Sequence, residues 1–229
     1  VRFLGMRLSA TMAIVEMTDG SLLLFSPVEM TPERRAAVES LGTVAHLYAP
    51  NTFHHLWLGA WAKAYPGATV HAPRALRDKR PDLRIDREHD HSTCGDLSAA
   101  FDEVHIDGFV LEETVLVHRP SRTLLVADLV HNIGRPKHLW TAMYSRAMGF
   151  YDRVAISRAI RWAAFHDRAA ARRSIDAIGG HRFDRLVVGH GPPIPTGAKA
   201  AVLGAYSWLR PSHGLLPPAL PAPKRGFCG

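Results

Sequence analysis

Three short stretches place a metal-binding residue type at the end of an apolar run. The first is Ala49-Pro50-Asn51-Thr52-Phe53-His54-His55, between a strand-like segment and a helical one. In a loop or first helical turn, adjacent side chains differ in direction by about 100°, so His54 and His55 can approach one ion from neighbouring sides. In a strand they would face opposite ways. The second is Leu124-Leu125-Val126-Ala127-Asp128. A carboxylate at a strand terminus is partly buried and needs a partner, whether a metal, an arginine or the backbone N–H groups of a turn. The third is Leu186-Val187-Val188-Gly189-His190-Gly191, where two glycines let the chain turn tightly and let a neighbour approach His190 closely. Strand ends are where layered α/β domains bind their ligands. Each stretch also has a plainer explanation: a packed or solvated histidine, a turn cap, a turn histidine.

The chain has 14 histidines and only two cysteines, Cys94 and Cys228, which excludes a disulfide framework and a cysteine zinc ribbon. Any ligand set is therefore nitrogen and oxygen. His131 follows Asp128 by three residues and is a candidate acid/base or supporting group in the same cleft. His118, beside Arg119 at a strand end, reads as a packed or turn residue, and His71 as structural. His89 and His91 lie in a charged stretch and read as solvated. His166, before Asp167, reads as helix-start geometry.

The elements that must position these residues follow from patterning. Met12–Met17 and Leu22–Phe25 flank Thr18-Asp19-Gly20 and read as a hairpin. Thr31-Pro32-Glu33 opens a helix to about Ser40, with Thr31 as cap and Pro32 in the first turn. Thr43–Ala49 is strand-like, Leu56–Tyr65 helical, Ala68–His71 a short strand, and a basic helical turn reaches Lys79. Asp82–Asp96 has no period and reads as a surface loop. Glu103–Ile106, Thr114–His118 and Thr123–Ala127 read as strands. Lys137–Phe150, Ala155–Phe165 and Asp167–Ile178 read as helices, the last stopped by Gly179-Gly180. Leu186–Val188 is a strand, and Gly197 to Leu209 a final helix. There is no internal repeat.

At 229 residues and 47% apolar content, this is one globular domain over 1–210, with a Pro-rich tail at 211–229. No apolar run approaches the ~18–20 residues of a membrane span, and no secretory signal is evident. A cytoplasmic protein without a membrane partner is the expectation. The formal charge of +7 invites nucleic acid or an acidic substrate. Arginine supplies 23 of the 28 cations, scattered through helices, so a solvated basic surface is the simpler explanation and nucleic acid an unfavoured partner.

Taken together, the His-rich loop before a helix, the strand ending in Asp128 and the strand ending in Gly189-His190-Gly191 resemble the metallo-β-lactamase-fold superfamily. Similarity spans about residues 12–195 and is nearest to an uncharacterised branch of it, on Ser26-Pro27, Ala49-Pro50-Asn51 with His54-His55, Ala72-Pro73, His118–Thr123 and Ala127-Asp128-Leu129. The resemblance implies an α/β fold, a four-layer αββα sandwich, here with a helical insertion before the last strand. The superfamily loop His-x-His-x-Asp-His falls on Pro50, Thr52, His54 and His55. The bridging aspartate falls on Asp128, the last histidine on His190, and the intermediate histidine near Gly108-Phe109. The first metal position thus retains no ligand. The second retains His54, His55, Asp128 and His190, implying one divalent ion: zinc foremost, with iron or manganese as alternatives.

Such an ion would activate water for hydrolysis of a small-molecule substrate, with Asp128 and His131 as the catalytic candidates. Four protein ligands, however, describe a closed structural site rather than an open catalytic one. A non-catalytic metal- or small-molecule-binding protein, and a nucleic-acid-processing relative, are the competing readings. The aromatic insertion, with Trp140, Tyr144, Phe150, Tyr151, Trp162 and Phe165, suits a pocket wall, helix packing or a homodimer interface.

Overall fold

The computed structural model describes residues 1–89 and 96–210; the expected tail at 211–229, both cysteines and His91 lie outside the described residues. A two-stranded hairpin, β1 (Arg2–Phe3) and β2 (Met6–Arg7), opens the chain, and no alternation in the sequence announces it. Then follow β3 (Ala13–Glu16), β4 (Leu22–Phe25), α1 (Pro32–Glu39), β5 (Val44–Tyr48), α2 (Leu58–Ala64), β6 (Thr69–Ala72), α3 (Arg74–Lys79) and β7 (Arg87–Glu88). The second half holds β8 (Phe101–His105), β9 (Thr114–His118), β10 (Thr123–Leu125), α4 (Leu139–Ala147), α5 (Arg158–Ala163), α6 (Arg168–Gly180), β11 (Arg185–Val187) and α7 (Ala198–Ala205).

The local signals act as expected where they are local. Thr31 accepts a hydrogen bond from the Arg34 N–H and Pro32 opens α1. Asp167, rather than His166, caps α6, accepting from the N–H groups of Ala169 and Ala170. Gly179 and Gly180 complete the last turn of α6 instead of stopping it, and the final helix breaks at Tyr206 into a separate 3-10 turn, Ser207–Leu209.

One sheet has the order β3-β4-β5-β6-β7, antiparallel at β3/β4 and parallel beyond; the other has the order β11-β10-β9-β8, parallel only at β10/β11. Side chains alternate across the strands and so build three cores. In β4, Leu22 and Leu24 join Val38, Leu58, Trp61 and Leu76 under α1–α3. Leu23 and Phe25, from the same strand, meet Phe101, Leu116 and Leu125 of the other sheet. Val115, Val117 and Leu124 point outward against Ile175, Ile178 and Val202 of α6 and α7. This is the αββα order of layers, with the helices α4–α6 inserted before the last strand.

Between the sheets runs a polar seam. Tyr48 stacks on His71 and His89, its hydroxyl donates to Glu103 Oε1, and His46 and His71 meet at 3.1 Å. His89 was expected in solvent. It is buried, at 2.7 Å from the Ala49 carbonyl and 2.9 Å from the Thr114 hydroxyl. The two-residue strand β7 delivers it, which is too short to register as alternation within a charged stretch.

Strand direction sets where chemistry gathers. β4 runs parallel to β5, so Ser26 and the loop after Tyr48 emerge at one edge. β10 runs parallel to β11, so Asp128 and His190 emerge side by side. β9 is antiparallel to β10, which puts Glu113, just before β9, beside the end of β10.

Candidate metal centre

At that edge His54, Asp128 and His190 each offer a ligand atom within 4.8 Å of the others, the one such group among the described residues. His54 Nε2 lies 3.4 Å from Asp128 Oδ2, and His190 Nε2 lies 3.5 Å from Oδ1. Those separations match the edge of a tetrahedron drawn with bonds of roughly 2.1 Å, the length of zinc–nitrogen and zinc–oxygen bonds.

The opposite nitrogen of each imidazole is held. His190 Nδ1 donates to the Ser9 carbonyl at 2.7 Å, which turns Nε2 toward Asp128. His54 Nδ1 pairs with the Ser26 hydroxyl at 2.7 Å. Such outer contacts fix tautomer and ring orientation in metal sites. Ser26 sits at φ +56°, a left-handed conformation uncommon for a residue with a Cβ.

Asp128 is itself positioned. Its backbone N–H, with those of Ala127 and Leu129, donates to the buried carboxylate of Glu113. The Asn51 amide donates both to Glu113 Oε2 and to Asp128 Oδ2, while its oxygen accepts from the N–H groups of Phe53 and His54. One amide thus ties the two ligand-bearing loops together. Asn51 is visible in the sequence only as a breaker beside Pro50. Glu113 carries no local signal, because its partners lie 14 or more residues away.

The charges reflect this crowding. Burial pushes the Asp128 carboxyl up, but the His54 and His190 imidazoles outweigh it and hold Asp128 well below the usual carboxylate range. Burial pulls His54 down, and Asp128 followed by Glu113 more than compensates, so His54 is raised. Glu113 is raised by burial and by the neighbouring Asp128. An ionised, buried Asp128 flanked by two imidazole Nε2 atoms is a donor set suited to a cation, which would replace the proton that His54 holds.

Glycine makes the approach possible. A Cβ on Gly189 would stand 2.6 Å from His54 Cε1 and 2.9 Å from the Ala127 carbonyl oxygen. Gly191, at φ +116°, has the Asn132 carbonyl where a Cβ would go.

The structure does not bring His55 to this group. It is buried apart, with Nδ1 3.2 Å from an Arg80 guanidinium nitrogen. Burial, then Lys79 and Arg80, lower its pKa to about 4. His131 is buried beside the site, its ring centroid 5.6 Å from that of His190 and 5.9 Å from Phe150. Burial lowers it to about 4, and its Nδ1 has no hydrogen-bond partner among the described residues. Of the remaining superfamily loop positions, Pro50 accepts from the Thr114 N–H and the Thr52 hydroxyl donates to the Leu111 carbonyl. Phe109 stacks on Phe165 in the core. Within the insertion, Phe150 abuts His131, whereas Trp162 is 87% exposed.

No protein-family model matches the sequence, and neither does any curated protein. Solved structures match it over nearly its whole length. A metallo-β-lactamase from Pontibacter korlensis aligns with a TM-score of 0.61 at 13% identity, over 90% of this chain and 91% of that one. The metallo-β-lactamase FIM-1 from Pseudomonas aeruginosa, in its mono-zinc form, aligns at 0.59 and 11%, over 87% and 82%. The metallo-β-lactamase IND-7 aligns at 0.59 and 9%, over 90% and 89%. The chain therefore has the metallo-β-lactamase fold. Among the described residues, no helix is long and apolar enough to cross a membrane.

Proposed function

We propose that this protein is a metal-dependent hydrolase working with a single divalent ion held by His54, Asp128 and His190. The observation that carries this reading is the number of donors gathered. Three protein ligands with room for a fourth, exogenous one is the pattern of catalytic zinc sites, whereas four describe a structural site. The turn of His55 toward Arg80 thus favours catalysis over a closed metal site. Zinc is the first candidate, given two imidazoles and a carboxylate; the mono-zinc form of FIM-1 is a precedent on the same fold.

A bound divalent ion would supply Lewis acidity and bring the pKa of water toward ~7. The protein's own groups do the rest. Asp128, ionised and fixed by Asn51 and the Glu113-bound turn, orients the attacking water. His131, buried against His190 with Nδ1 unpartnered, takes and returns the proton. Phe150 keeps bulk water from its ring. The substrate class is an ester, amide, thioester or phosphodiester of small-molecule size.

The test is a hydrolase screen on metal-loaded protein. Activity should vanish with chelator and return with metal. His131→Gln should keep its metal and lower kcat by roughly 10²–10⁴-fold, as loss of a general acid/base does. Chelator-insensitive hydrolysis, or full activity in His131→Gln, would contradict the assignment.

A further inference from the structure

The face built by the N-terminal hairpin and α4 is the part of the surface that the metal site leaves unexplained. Phe3, Leu4, Leu139, Trp140 and Met143 are all exposed, Leu139 at 73% and Leu4 at 62%. They form one surface. The Trp140 indole N–H donates to the Leu4 carbonyl, and the Arg7 N–H donates to the Thr141 hydroxyl. The turn at Leu4-Gly5 has positive φ at both residues, and a Cβ on Gly5 would stand 3.1 Å from the Trp140 indole nitrogen. Isolated exposed apolar side chains are ordinary, but a contiguous group of this kind marks an interaction site.

The charge around it is one-sided. Residues 1–8 and 131–149 contain Arg2, Arg7, Arg135, Lys137 and Arg146, and neither segment contains an acid. Arg135 pairs with Asp152 and Arg146 lies over the Tyr151 ring, while Arg7 and Lys137 stand at the cleft beside the apolar face. Beside it, Arg7, Ile133, Pro136, Lys137, His138 and Leu139 line a cleft of about 630 Å³. Two fixed cations and a histidine at a cleft mouth suit a phosphate or carboxylate head group. The adjoining Leu139, Trp140 and Leu4 suit the acyl region beneath it. Tryptophan and leucine flanked by arginine and lysine are what interfacial helices present to anionic lipid.

We infer that this face docks the protein onto an anionic lipid bilayer, with the hairpin tip and the first turn of α4 entering the interface. The expectation of no membrane partner rested on run length, which detects spans and not surfaces. The face also leads to the metal edge. The hairpin continues into Ser9, whose carbonyl holds His190, and Ile133 in the cleft lies two residues from His131.

The experiment is co-sedimentation of the full chain with vesicles of phosphatidylcholine alone and of phosphatidylcholine with roughly a third phosphatidylserine. Binding is expected to the anionic vesicles and to fall with added salt. Leu139→Asp should weaken it by roughly tenfold or more. Arg7→Glu combined with Lys137→Glu should weaken it by about a hundredfold. Unchanged circular dichroism and sedimentation of both variants would show that folding is not the cause. No binding to anionic vesicles, or equal binding to neutral ones, would overturn the inference. So would a concentration-dependent dimer abolished by Leu139→Asp, which would make this face a contact between copies.

Discussion

His54 Nδ1 and His190 Nδ1 each rest on an oxygen, and that contact aims both Nε2 atoms at Asp128. The geometry is therefore sensitive to groups that never touch the ion. Ser26→Ala removes the His54 contact, and outer partners of this kind are worth roughly 10–100-fold in metal affinity. A loss of that size is expected, read by competition against a chromogenic chelator. Asn51→Leu keeps side-chain size but strips a donor from two buried carboxylates and an acceptor from two backbone N–H groups. It should lower stability by about 3 kcal/mol or more in urea unfolding. His55 has the opposite expectation. Because its ring faces Arg80, His55→Gln should retain the metal in full. From the sequence, His54 and His55 were indistinguishable, since a loop lets either turn inward. What separates them is the pair of N–H bonds that Asn51 accepts from Phe53 and His54, together with the cations that α3 brings to His55.

At the scale of elements, the candidate site is a consequence of parallel pairing. β10 and β11 end together, and β4 ends beside β5. Strand ends carrying Asp128 and His190 were legible because each follows a run of apolar residues. Glu113 was not, because its carboxylate is defined by a turn 14 to 16 residues later and by an amide 62 residues earlier. His89 was misjudged for a similar reason: a two-residue strand has no period to read, and its partners are distant, Ala49 just past β5 and Thr114 at the start of β9. The glycines flanking His190 were legible as freedom to turn, and the structure gives them neighbours. In Gly189→Ala the new methyl would press on His54 and on the Ala127 backbone, so the variant should fold with weakened metal binding. Gly191→Ala must also leave a positive φ and displace the Asn132 carbonyl. It should cost several-fold more stability than Gly189→Ala in thermal unfolding.

For the whole molecule, the two sheets meet over a histidine-rich seam, and this sets its response to acid. Burial, with His46, His89 and Arg87 nearby, lowers His71 to about 3. In the unfolded chain the same imidazole titrates near its ordinary value of roughly 6.5. Above that pH both states are neutral there and His71 costs nothing. As pH falls from about 6.5 toward 3, the unfolded state takes the proton first, and stability drops by up to about 5 kcal/mol from this residue. Urea midpoints at neutral pH and near pH 4.5 should show the decline; a flat profile would mean that the seam accepts protons freely.

Elemental analysis of the gently purified protein and two variants reads out whether one metal sits on the three donors His54, Asp128 and His190. About one equivalent of a divalent metal is expected in the wild type and in His55→Gln, and its loss in His190→Ala. A wild-type protein that is metal-free and cannot be reconstituted, or a His55→Gln protein that loses its metal, would contradict the three-donor site.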